Sequence, residues 1–175
     1  MSGQRTRRDW GWHPLRPDWA RRVVAESPVA AGDLVLDLGA GHGALIGPLL
    51  DAGARVVAVE LHPGRAALLR ERYAERGVRV VRCDLRDLRL PSRPFRVVAS
   101  PPYALSTALV RLLLGTDRLL SADLVLQVSA ARRLVTEPPR ARHARRYRLT
   151  LARSVPRGAF RPPPRVDSAV LRIER

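Results

Sequence analysis

The segment Leu34-Val35-Leu36-Asp37-Leu38-Gly39-Ala40-Gly41-His42-Gly43 constrains the fold of this chain more than any other. An apolar run meets an acid and then three glycines at alternate positions. Glycine alone lets a backbone turn sharply in left-handed conformations and approach a ligand closely, so the pattern reads as strand, tight turn and helix. The same alternation continues along the chain. Strands are expected at 34–36, 55–59, 78–82, 95–99 and 123–127. Helices are expected at 18–25, through Leu45, Leu49 and Leu50, at 63–76 with Pro63 near the start, and at 106–114. Strands separated by helices at this spacing specify a parallel sheet covered on both faces. Two further strands, 147–155 and 166–173, are joined by a proline-rich link too short for a covered crossover, so this closing pair is expected to be antiparallel. The expected class is α/β, a seven-stranded mostly parallel sheet with an antiparallel closing strand. Residues 1–17 read as a basic arm and 18–175 as a single domain. The stretch 138–148, with two prolines leading into Arg140, Arg142, Arg145 and Arg146, reads as a surface loop.

The glycine turn suits two cofactors. Gly39, Gly41 and Ala44 satisfy the spacing of a dinucleotide-binding loop, and Glu60, closing the second strand, suits a ribose diol. Asp37, however, stands immediately before the glycines. A carboxylate there suits the ammonium and sulfonium of S-adenosylmethionine (SAM) and is unwelcome beside a pyrophosphate. Asp84 follows the third strand, where an acid can accept from an adenine amino group. An Asp in that position is also a common turn or cap residue.

Ser100-Pro101-Pro102-Tyr103, after the fourth strand, separates the two. Proline fixes φ and has no N–H, so these residues continue neither the strand nor a helix. They make a rigid ledge whose oxygens are acceptors and whose tyrosine offers a flat face. Such a ledge can hold an exocyclic amine of a flipped or single-stranded base. A ledge of this form resembles that of SAM-dependent amino-methyltransferases, and the resemblance implies their Rossmann-like fold.

Charge indicates the partner. The formal net charge is +16, and all 32 basic residues are arginine. An excess of this size predicts a polyanion, nucleic acid in particular, bound with steep salt dependence. Arg7, Arg8, Trp10 and Trp12 in the arm, and Arg140, Arg142, Arg145 and Arg146 in the loop, are the candidate RNA contacts. No apolar run approaches the ~20 residues of a membrane helix, and no secretory signal is expected. The single cysteine, Cys83, cannot form an internal disulfide, so a cytoplasmic location is the default; a monomer is expected. His13, His42, His62 and His143 lack ligand spacing, and no metal site is expected.

The ledge resembles that of methyltransferases acting on exocyclic nitrogens of adenine or cytosine. Phe160-Arg161-Pro162-Pro163-Pro164-Arg165-Val166-Asp167-Ser168-Ala169-Val170 resembles the closing segment of rRNA adenine-N6 methyltransferases of the Erm and KsgA type, and Leu124-Val125-Leu126-Gln127 that family's fifth strand. Trp10-Gly11-Trp12-His13 and the short length look most like the short actinobacterial Erm proteins, which methylate 23S rRNA. The resemblance implies macrolide-lincosamide-streptogramin resistance as the biological role. It implies Ser100, Pro101, Tyr103 and Phe160 around the target base, and His13, Asp37, Gly39, Gly41, Glu60, Asp84 and Ser100 around SAM. The chain departs from the family in three ways. Ser100 stands where members usually have Asn, Gly11-Trp12-His13-Pro14-Leu15 where they often read Gly-Gln-Asn-Phe-Leu, and the chain stops at Arg175 without their helical C-terminal domain. RNA grip is then expected from the arm and the 140–148 loop. Cytosine-N4 methylation, a catalytically weak RNA-binding or ribosome-assembly role, and an NAD enzyme remain open at this point.

Overall fold

The computed structural model describes residues 13–175. Seven strands form one sheet: β1 (Leu34–Leu38), β2 (Arg55–Val59), β3 (Arg79–Val81), β4 (Phe95–Ala99), β5 (Leu119–Gln127), β6 (Arg148–Val155) and β7 (Ser168–Glu174). Their order is β3-β2-β1-β4-β5-β7-β6. The first five in that order run parallel, and β7 lies antiparallel to both β5 and β6. The expected class is therefore the observed one.

Strand periodicity divides the core. Leu34, Leu36, Leu38, Val97, Leu124, Leu126 and Leu171 face one side, where α4 (Ser106–Leu114) and α5 (Val128–Thr136) cover them. Val35, Val56, Ala58, Val98, Val125 and Val170 face the other, beneath α1 (Pro17–Glu26), α2 (Ile46–Asp51) and α3 (Pro63–Arg72). Successive side chains alternate across a pleated strand, so a run such as Leu34–Leu38, buried along its whole length, supplies both cores at once.

Several boundaries differ from the sequence expectation. The helix expected to reach residue 76 ends at Arg72, and a short 3-10 turn, Ala74–Arg76, leads into Gly77 at φ 70°. β5 starts earlier than expected, at Leu119. Ser121 and Asp123 interrupt its apolar run, but both are satisfied laterally. Arg96 Nη1 donates to Ser121 Oγ at 2.9 Å, and Arg172 pairs with the buried Asp123 at 2.8 and 2.9 Å. Helix α5 was not expected. It follows β5 without a break and has no side-chain N-cap. The domain also begins before residue 18. Leu15 bridges Phe160, Arg16 N donates to Ala159 O at 2.8 Å, and Arg161 N donates to Pro14 O at 3.1 Å.

Candidate functional site

The strand order reverses between β1 and β4, and a crevice opens at the carboxyl ends of the strands there, where ligands of open α/β sheets bind. Its main cavity, of about 460 Å³, is lined by Gly39 after β1, Glu60 after β2, Asp84 after β3 and Ser100–Tyr103 after β4. A narrower extension, of about 40 Å³, runs along Asp37, Gly39, Ala40, Gly41 and Ser100. Gly39 and Ser100 border both. Gly39 has φ +79°, and a Cβ there would stand 3.0 Å from Pro102 Cδ. The glycine is therefore required both by the turn and by the ledge pressed against it.

The three acids of the crevice are held differently. Asp37 is 1% exposed, and its Oδ2 has no hydrogen-bond partner among the described residues. Burial, reinforced by the nearby charge of Glu60, pushes its carboxyl up to about 8. Glu60 accepts from Gly41 N at 2.7 Å and His62 N at 2.8 Å, and pairs with Arg65 at 3.3 Å. These bonds fix its carboxylate at the end of β2. Asp84 caps the 3-10 turn Leu85–Asp87, accepting from Arg86 N, and pairs with the Arg86 side chain at 2.7 Å. The hydrogen bonds from Arg86 hold its carboxyl down to about 2. Asp84 is thus a cap residue and a wall of the cavity at once.

On the ledge, Tyr103 Oη shares a hydrogen bond with Ser168 Oγ at 2.9 Å, and Ser106 Oγ donates to Tyr103 O at 2.7 Å. Burial raises the phenol's pKa, and the Ser168 bond opposes that rise. His13 lines the main cavity beside it, with its Nδ1 3.0 Å from Pro162 O. Phe160 departs from expectation. It is 3% exposed, packed in the core with Leu15 and Val23, and borders neither cavity. Its apolar ring fills the seam between the start of the domain and the β6–β7 link, so it offers no face to a base in this structure.

The arginines of the loop are also placed away from the site. Arg140, Arg142, Arg145 and Arg146 are exposed, but His143 N donates to Leu114 O at the end of α4, and Tyr147 Oη donates to Thr116 O. Because α4 starts at the ledge and runs back along the sheet, this loop lies at the opposite end of β4, about 15–20 Å away at ~3.3 Å per strand residue. The exposed Arg157, Arg161 and Arg165, in the β6–β7 link, lie at the crevice end instead. The expected contacts Arg7, Arg8, Trp10 and Trp12 lie outside the described residues. Among the described residues, no group of three or more His, Cys, Asp or Glu side chains could hold a metal ion, and no helix is long and apolar enough to cross a membrane.

Sequence reasoning missed Arg65, Arg86 and Ser168. Arg86 is two residues from the acid it clamps, a spacing that could have been read as a capped turn. Arg65 and Ser168 are brought in by tertiary packing.

The reversed strand order, the glycine turn and the acids at successive strand ends together define the class of SAM-dependent methyltransferases, and solved structures support it. The 23S rRNA methyltransferase ErmE superposes with a TM-score of 0.82 at 28% identity, covering 92% of this chain and 69% of that one. The chain belongs to the ribosomal RNA adenine dimethylase family, which matches it over residues 6–175. The ribosomal RNA small subunit methyltransferase A of Cupriavidus taiwanensis is 38% identical, over 86% of this chain and 58% of its own length. An rRNA adenine N-6-methyltransferase of Bacteroides fragilis is 32% identical, over 87% of this chain and 60% of its own. The chain thus spans about three fifths of the length of these curated relatives.

Proposed function

We propose that this chain binds SAM in the crevice and methylates N6 of an adenine in ribosomal RNA. One observation carries the reading: the acids suited to the donor, Glu60 and Asp84, and the ledge suited to the acceptor, Ser100–Tyr103, line the same cavity. The residues fit the cofactor. Asp37 lines the narrow extension, and its Oδ2 is buried and unpartnered among the described residues, so a cation bound there would satisfy the carboxylate. Glu60 is placed for a ribose diol and Asp84 for an adenine amine, with Leu61 and Leu85 as apolar walls. SAM, when bound, supplies an electrophilic methyl group on its sulfonium.

The chain's own part is positioning. An adenine amine is a poor nucleophile, because its lone pair is delocalised into the ring. Tyr103 stacks on the flipped base, and the Ser100 hydroxyl and Pro101 carbonyl accept its N–H groups. This favours the geometry in which the lone pair points into the cavity. Alignment of this kind, with oriented dipoles, supplies most of such a rate enhancement. The exposed arginines Arg157, Arg161 and Arg165 hold phosphates near the ledge. Arg140, Arg142, Arg145 and Arg146, with Arg7, Arg8, Trp10 and Trp12, engage more distant RNA. The protein acts as a cytoplasmic monomer on ribosomal RNA.

We take 23S rRNA as the substrate, with macrolide-lincosamide-streptogramin resistance as the consequence; the likeness to ErmE supports this. The 38% identity to a small-subunit methyltransferase supports 16S rRNA as a second reading. Tritiated-methyl transfer to purified 23S and 16S rRNA, followed by nucleoside mass spectrometry, tests both. The expected product is N6-methylated adenosine in 23S rRNA. N4-methylcytidine, or no transfer, overturns the proposal.

A further inference from the structure

On the face of the sheet that carries Leu34 and Leu36, α4 and α5 pack against β5, β6 and β7. Among the described residues, the same face over β1, β2 and β3 is closed by the connection from β3 to β4, which holds a 3-10 turn, Leu85–Asp87, and no α-helix. A connection between parallel strands usually carries a helix that covers the sheet. Pro91 and Pro94 bar one here, since each lacks an N–H and turns the residue before it away from helical geometry. The result is a second cavity, of about 330 Å³. Leu34, Leu36, Val57, Val59 and Val81 form its floor, and Leu88 and Pro91 close it from above. It lies beside the main cavity, with Val59 as a shared wall.

The charged groups of this cavity are all cationic. Strand register sets Leu36, Val57 and Arg79 in one row across β1, β2 and β3, with Arg79 at the sheet edge. Arg89 and Arg93 stand on the connection. All three arginines are exposed. Among the described residues none of their guanidinium groups has an ion pair or hydrogen bond, in contrast to Arg86, Arg96 and Arg172. We infer that the cavity binds a straight-chain carboxylate of about eight to ten carbons, its chain along Leu36 and Val57 and its head at Arg79, a span of roughly 10 Å or two strand spacings. The lining decides the class. A nucleobase would bring polar edges that find no partners among leucine and valine side chains, at a cost to binding. A protein partner needs about 800 Å² of surface on each side, far more than a floor three strands wide presents. A carboxylate meets guanidinium groups in a bidentate geometry, and its chain covers the half-buried Val57, Val81 and Leu88. The volume is at the small end for small-molecule pockets, which suits one short chain rather than a membrane lipid. Nothing in this site depends on the proposed RNA methylation.

The test is calorimetric titration of the full chain with decanoate, below the concentrations at which it forms micelles. Saturable binding of one decanoate per chain is expected. Octanoate should bind about 15-fold more weakly, the worth of two buried methylenes at ~0.8 kcal/mol each. Decanol, which lacks the charge, should bind at least about tenfold more weakly than decanoate, and Arg79→Glu should weaken decanoate by as much, the scale of a charged hydrogen bond. Arg70→Glu makes the same charge change at an exposed position of α3, across the sheet, and should stay within about twofold of wild type. Val57→Trp fills the floor and should abolish binding; if that variant does not fold, Arg79→Glu, at an exposed position, decides. Absence of saturable decanoate binding overturns the site. So does undiminished binding by decanol, by Arg79→Glu or by a folded Val57→Trp protein. A loss in Arg70→Glu equal to that in Arg79→Glu also overturns it, since net charge alone then accounts for the binding.

Discussion

Asp37 and Asp84 close opposite ends of one crevice and are opposite in electrostatic state. Asp37 is buried without a partner on Oδ2 among the described residues and is pushed up to about 8. Asp84, at the cavity rim, is clamped by Arg86 and held down to about 2. At neutral pH the first is mostly a neutral acid and the second a fixed anion. A group left unsatisfied in a cavity is stabilised by whatever cation enters, whereas a group already paired gains little. On the proposed function, binding energy for a cationic cofactor is therefore expected to concentrate at the glycine turn, with the Asp84 end left to orient the adenine.

The most severe disruption of this asymmetry is Asp37→Asn. It should weaken SAM about 30-fold or more, the scale for removing one partner of a desolvated charge pair, as read by calorimetry. An equal loss from Asp84→Asn would erase the distinction between the two ends. On the acceptor side, Ser100→Asn replaces a rotatable hydroxyl with a fixed amide carbonyl. It should raise the rate of transfer about tenfold, or shift the product toward dimethyladenosine, corresponding to ~1.4 kcal/mol of barrier. An unchanged rate and product ratio would drop that idea. Asp84→Asn should cost only about three- to tenfold in SAM affinity, the scale of one hydrogen bond.

The smallest effect is on stability and has the opposite sign. Asp37 in the folded protein keeps a proton that the unfolded chain releases above 3.8. Its stabilising effect is complete below that pH and is lost as pH rises toward about 8. Asp37→Asn should therefore raise the Tm of the cofactor-free protein at pH 8 and hardly at pH 4, as followed by circular dichroism. A Tm gain independent of pH would contradict the protonation state assigned to Asp37.

What was legible in the sequence was what is local. The strand ends carrying Asp37, Glu60, Asp84 and Ser100 were readable because an apolar run meets an acid at the first three and a pair of prolines at the fourth. Helix α5 was not, because it starts at the last strand residue with no capping side chain and buries only Ala131 and Leu134. Phe160 looked like a ligand contact because its partners Leu15 and Val23 are far away in sequence. The remoteness of the 140–146 arginines from the ledge follows from the direction of α4, which residue spacing alone does not give. His13 showed no sign of standing beside Tyr103, since its position depends on Pro162, at the far end of the chain.

The central claim is that Asp37 waits as a neutral acid for a cationic cofactor. Calorimetric titration with SAM at pH 7, in two buffers of different ionisation enthalpy, counts the protons released on binding. Wild type should release about 0.9 proton per cofactor, the protonated fraction of a group with a pKa of about 8, and Asp37→Asn none. Tight binding by wild type with no proton release, or equal release from the variant, would contradict it.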